Sequence, residues 1–145
     1  VTENIKNSKN WYLKYLKMIK IGYRRDVMDK DYFCPFCDKE NVYICGIKNL
    51  HFTGDPKNMS IRQCPNCKKY FLFIYLYAHL GYGENLLLYR MELKNDEAEY
   101  LKNVIESCPD SNNEECSCPA HKILDEFEMK NSDRRVVIID DVDSW

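Results

Sequence analysis

Apolar residues recur along this chain with two different periods, and the switches between them lay out its elements. Tyr12, Leu16, Ile19 and Tyr23 fall at helical spacing, which predicts a helix over residues 11–21. Ser8 or Asn10 can cap it, Gly22 can end it, and Lys14, Lys17 and Arg24 fall on another face. Residues 41–52 are rich in Val, Tyr and Ile and predict a strand, paired with the segment before Cys64 across a turn at 53–58. Residues 68–78 alternate in an unusual way. Phe71, Phe73, Tyr75 and Tyr77 share one face, while Leu72, Ile74, Leu76 and Ala78 share the other. Apolar on both sides, this segment is predicted to be a central strand covered on both faces. An aromatic face left open could instead stack unpaired bases, but large apolar residues are mostly inside, so core is the expectation.

A turn at 81–83 and a returning strand at 86–93 complete a hairpin. Helical spacing resumes at residues 95–108, where Leu101, Val104, Ile105 and Cys108 form one stripe. Asn95 is the predicted cap, Asp96, Glu97 and Glu99 suit the positive end of the helix dipole, and Pro109 follows. A polar loop at 111–115 leads to a second helix at 118–130, with Ile123, Leu124 and Phe127 inward. Residues 136–139 are expected to form a short buried strand, before an acidic end at Asp140, Asp141 and Asp143 closed by Trp145.

Composition narrows this picture. With 145 residues, 45% hydrophobic and 30% charged, the chain suits one domain over 1–145 with a real core rather than a disordered segment. Within it lie a basic helical segment (1–30), a sheet (31–93) and an acidic helical part (94–145). No stretch approaches the roughly 18 apolar residues of a membrane span, and no cleavage site of a signal peptide is visible, so a cytoplasmic protein is expected. The net charge of −2 hides a split. Residues 1–91 hold 15 Lys and Arg against 8 Asp and Glu, whereas 92–145 hold 6 against 15. Such asymmetry suggests two surfaces with different jobs.

The chemistry lies in eight cysteines. Cys34-Pro35-Phe36-Cys37 and Cys64-Pro65-Asn66-Cys67 are two identical C-P-x-C patterns, 26 residues apart. Two thiolates three positions apart sit on one tight turn and can meet one ion, with backbone N–H groups of the turn donating to the sulfurs. Two such turns supply the four ligands of a tetrahedral Zn²⁺. A redox dithiol is the rival reading of Cys-Pro-Phe-Cys alone, but the second pair and the absence of a βαβ pattern weigh against it. Over residues 31–77 these paired motifs resemble the zinc-ribbon superfamily. The resemblance implies a metal site at the end of an antiparallel sheet and says little about activity.

A second set is less regular. Cys116, Cys118 and His121 lie within six residues, and Cys108 lies eight positions upstream. Together they make a Cys₃His set, common for structural zinc. Of five prolines, four follow a cysteine (Pro35, Pro65, Pro109 and Pro119), which stiffens metal turns, and Pro119 suits the first position of a helix. The alternative is that Cys108 and His121 are ordinary helix residues. Cys45, His51 and His79 lack partners at ligand spacing and are expected to be structural.

The fold expected is therefore α+β: an antiparallel zinc-ribbon-like sheet extended by a central hairpin, with an N-terminal helix and two C-terminal helices tied by a second zinc. No phosphate cradle, G-x-S-x-G, H-E-x-x-H or His-x-Glu motif is present. Both sets hold four protein ligands, which leaves no position for a catalytic water, so metal is expected to supply folding energy to a non-enzyme. A protein-binding module, either an immunity- or antitoxin-like inhibitor or an adaptor, is the first expectation, because an acidic surface can occupy a basic active site. A nucleic-acid binder is the alternative, with Lys14, Lys17, Arg24, Lys68 and Lys69 as its basic surface. A thiol oxidoreductase, or a Cys45-based enzyme, comes third.

Overall fold

A computed structural model describes residues 29–51, 54–80 and 83–142. The expected N-terminal helix, with Lys14, Lys17 and Arg24, lies outside the described residues, as do Asp143 and Trp145. A short 3-10 turn, Asp29–Tyr32, precedes five strands: β1 (Val42–Leu50), β2 (Pro56–Gln63), β3 (Tyr70–Leu80), β4 (Gly83–Leu93) and β5 (Val136–Val142). Two helices, α1 (Asn95–Glu106) and α2 (Pro119–Lys130), stand between β4 and β5. The strands form one antiparallel sheet in the order β1-β2-β3-β4-β5. The class is thus α+β.

β3 is the central strand, as its two-sided apolar pattern requires. On one face Leu72 and Ile74 join Ile47, Met59, Ile61, Met91 and Leu93 beneath the helix residues Leu101, Ile105 and Leu124. On the other, Phe71 and Phe73 pack with Leu86, Leu88 and Ile139. Phe71 and Phe73 are each 1% exposed, so the aromatic stripe is core at these positions, with Tyr75 and Tyr77 half-buried. Tyr32 stands edge-on to Phe73, with ring centroids 4.9 Å apart. The Arg62 guanidinium lies 3.7 Å from the Tyr32 ring centre, stacked on the same surface.

Four local expectations need correction. β2 begins at Pro56, inside the segment read as a turn, because Lys57 and Asn58 pair with both β1 and β3. Proline is tolerated there as the first residue of a strand. Helix α1 is capped by Lys94 rather than Asn95. Lys94 is extended (φ −73°, ψ 159°), and its N–H donates to Glu97 Oε1 at 2.8 Å, so the carboxylate three residues on sets the boundary. The same helix ends at Glu106, and a tighter turn (Cys108 N–H to the Ile105 carbonyl, 3.0 Å) carries Cys108 beyond it. Finally, β5 is longer than expected and only half buried. Ile139 is 5% exposed, but Val136 and Val137 are 47% and 53% exposed. In the described sheet β5 is the terminal strand, paired only with β4, so its first residues gain cover from one side.

Candidate metal centres

The first cluster is built from two copies of one turn. The loop of Cys34 and Cys37 precedes β1, and that of Cys64 and Cys67 joins β2 to β3. In the first, Cys34 N–H donates to the Lys39 carbonyl (2.7 Å) and Asp38 N–H to the Cys34 carbonyl (2.9 Å). In the second, Cys64 N–H donates to Lys69 (2.9 Å) and Lys68 N–H to Cys64 (3.0 Å). Each turn places the residue after its second cysteine in the left-handed region: Asp38 at φ 57° and Lys68 at φ 67°. That conformation reverses the chain tightly enough to aim both sulfurs of a pair at one point.

The expected N–H···S bonds are present. Phe36 N–H donates to Cys34 Sγ, and Asn66 and Cys67 N–H donate to Cys64 Sγ, each at 3.4 Å. The Asn66 side-chain amide crosses to Cys37 Sγ at 3.2 Å and links the turns. Burial raises the Cys64 thiol, but these amide donors outweigh it and hold Cys64 down to about 6. At Cys67 the Lys69 N–H pulls the other way, yet burial and the neighbouring sulfurs push it up to about 11. The four sulfurs are too crowded to ionise together without a cation.

The second cluster sits where α1 hands over to α2. Cys108 follows α1, Cys116 ends the polar loop, Cys118 is the N-cap of α2, Pro119 is its first residue and His121 is on its first turn. The loop is held by Asp110 and Asn113 and docks on the sheet through Lys48 N–H to the Ser111 carbonyl (2.8 Å). Asp110 N–H donates to Cys108 Sγ at 3.3 Å. Burial and the neighbouring sulfurs push the Cys108 thiol up to about 11, while Cys118 is lowered by sulfur and amide donors that outweigh its burial.

Both clusters fit a tetrahedral metal. Within each, the four ligand atoms lie within 4.8 Å of one another. Zn–S bonds of about 2.3 Å in a tetrahedron put sulfurs about 3.8 Å apart. Cys34 and Cys67 Sγ are 3.7 Å apart, and Cys108 and Cys116 Sγ are 3.8 Å apart. Cys108 Sγ is 3.2 Å from His121 Nε2. A disulfide would need about 2.05 Å, and all eight cysteines are free thiols.

One residue of the second cluster escaped the sequence reading. Asn49, on β1 and 1% exposed, lies 2.8 Å from His121 Nδ1 through its Oδ1. Its amide nitrogen donates to the His121 carbonyl (2.9 Å) and to Asp125 Oδ1 (2.8 Å), which turns the amide oxygen toward the ring. The hydrogen then sits on Nδ1 and the lone pair of Nε2 faces the sulfurs, the tautomer a metal needs. The available signal was an Asn in the same strand phase as Ile47. Nothing local ties it to a histidine 72 positions away.

The remaining candidates are not drawn into either cluster. Cys45 is half-buried against the helix-side core, and burial, reinforced by Glu106, pushes its thiol up to about 11, so it is not a thiolate at neutral pH. His51 follows β1, where burial and Lys57 lower it below its ordinary value. His79 pairs in register with Glu84. Lys68 and Lys69 are exposed at the second turn, but Lys69 is 3.3 Å from Glu92 and 5.1 Å from the centre of the Phe36 ring. Among the described residues no helix is long and apolar enough to cross a membrane.

Among the described residues, fold and site together define a five-stranded antiparallel sheet under a helical pair, with two cysteine-rich clusters suited to metal and consistent with zinc-ribbon-like sites. No protein family, curated protein or solved structure matches the chain.

Proposed function

We propose that the protein holds two structural Zn²⁺ ions and acts as a non-catalytic protein-binding module, of the inhibitor or adaptor kind. One observation carries the reading: eight ligand side chains gather into two closed sets of four. Thiolate and imidazole donors favour zinc, and a site with four protein ligands keeps no place for water. Each ion then works as a clamp. The first ties the chain entering β1 to the β2–β3 connection, and the second ties α1 to α2 and, through Asn49, to the sheet. For protein over nucleic acid, Lys69 is already paired with Glu92 and the aromatic residues Phe71 and Phe73 are core. The acidic, partly apolar β5, with Val136, Val137 and Asp140 exposed, offers a surface suited to a basic partner.

Nucleic-acid binding remains the second reading, favoured by one feature. A cavity of about 260 Å³ on the face away from the helices is lined by Tyr32, Tyr43, Tyr75, Lys48 and Arg62. Elemental analysis of the purified protein tests the metal reading. Two zinc ions per chain are expected, and none would overturn it. Fluorescent oligonucleotides in a salt series test the partner class. Weak binding at about 0.15 M salt is expected, whereas tight binding with a steep salt slope would reverse the ranking.

A further inference from the structure

A cavity of about 460 Å³ opens on the helix side of the sheet, where the strands outrun the helices. β3 and β4 are 11 residues each, roughly 36 Å of strand. α1 and α2 are 12 residues each, about 18 Å of helix. Ile74, Leu76, Leu87 and Tyr89 supply an apolar floor. The wall beside α2 is ionic. Lys57 Nζ is 2.8 Å from both Asp125 Oδ1 and Glu128 Oε1, and Arg135 Nη1 is 3.0 Å from Glu128 Oε2. Lys57 is 8% and Glu128 5% exposed. The Arg135 guanidinium also lies 4.6 Å from the centre of the Tyr89 ring, so it reaches over the floor.

Buried ion clusters seldom add more stability than an apolar replacement would, so their place in a cavity wall points to a ligand. Each Glu128 oxygen accepts from one cation and Asp125 Oδ1 accepts from Lys57 and Asn49, which leaves Asp125 Oδ2 as a further acceptor. Arg135 has given Nε to the Ser132 carbonyl and Nη1 to Glu128, which leaves the hydrogens of Nη2, and Lys57 keeps a third hydrogen. Because the group that reaches over the apolar floor is the Arg135 guanidinium, the charge a molecule seated there would meet is positive and takes an anionic acceptor. We propose that the cavity binds a small amphipathic monocarboxylate, its apolar body on Leu76, Leu87 and Tyr89 and its carboxylate toward Arg135 and Lys57. The cavity is lined by none of the eight clustered cysteine and histidine residues, and Asp125, through Asn49, is its link to His121.

The test uses the zinc-loaded full chain with octanoate, octan-1-ol and octylammonium as probes, followed by titration calorimetry and methyl NMR. Octanoate should bind saturably, at least about tenfold tighter than either other probe, and shift the Leu76 and Leu87 methyls. Arg135→Gln should bring octanoate within about threefold of octan-1-ol, and Leu87→Trp should block every probe by filling the floor. Absence of saturable octanoate binding, shifts confined to other residues, or equal affinity for octylammonium would overturn the proposal. The comparison among probes needs no variant, so a misfolded mutant cannot rescue it.

Discussion

Replacing Asn49 by Leu should selectively loosen the metal of the second cluster. The substitution keeps the branched shape of the side chain, at somewhat larger volume, but removes the acceptor that holds His121 Nδ1–H at 2.8 Å. It also removes the donor shared by the His121 carbonyl and Asp125. A buried N–H left without a partner costs about 1–3 kcal/mol. His121 regains that cost only by rotating, which takes Nε2 away from the sulfurs, or by changing tautomer, which protonates Nε2 and removes its lone pair. Loss of such an outer partner typically weakens metal binding about 10–100-fold. The assay is competition with a chromophoric chelator, or cobalt substitution read in the visible spectrum. The Cys₄ cluster serves as an internal control, because Asn49 bonds to none of its residues. One ion should be released at about 10–100-fold lower chelator concentration while the other is unmoved. Second-cluster affinity within about twofold of the parent, or equal weakening of both clusters, would refute the argument.

Other perturbations read different parts of the fold. The Arg134 guanidinium, with the Lys94 N–H, holds the Glu97 carboxyl below its ordinary 4.5. A depressed folded value means the stabilisation is complete above that pH and fades as pH falls through the lowered value, so Glu97→Gln should flatten the acid limb of a denaturation–pH curve. Lys68→Val should cost about 1–2 kcal/mol in a urea melt, since a β-branched residue resists φ 67°, while Lys68→Gly should be near neutral. Gly46→Ala should lower stability by about 1–2 kcal/mol, because its new methyl would meet Tyr43 Oη at 2.6 Å and the Met59 carbonyl at 3.0 Å. An unchanged midpoint would mean that the Tyr43 ring simply swings out. Leu124→Ala, at a site 0% exposed, should cost about 2–5 kcal/mol by thermal melt.

Much of the site was legible because its information is local. In C-P-x-C the turn, its stiffening proline and both cysteines lie within four residues, so spacing alone marks a turn suited to metal. Cys116, Cys118 and His121 were readable for the same reason, with Pro119 marking the helix start. Helix ends were less legible. Asn95 has the better capping side chain, yet Glu97 reaches back to Lys94 and moves the boundary by one residue. The extent of β5 was misjudged because burial of Val136 and Val137 depends on what lies beside the strand, which hydropathy does not record.

Already legible in the residues alone were the membership of the two cysteine-rich clusters, the central strand with two apolar faces and the α+β order of elements. All of these follow from side-chain type at short spacing, where chain geometry leaves few alternatives. Only the packed fold sets Asn49 against His121, pairs Lys69 with Glu92, and gathers Lys57, Asp125, Glu128 and Arg135 on the wall of one cavity. Apart from Arg135 and Glu128, seven positions apart, these contacts join residues tens of positions apart through strand register and helix docking. They depend on how whole elements pack, a quantity no local pattern contains.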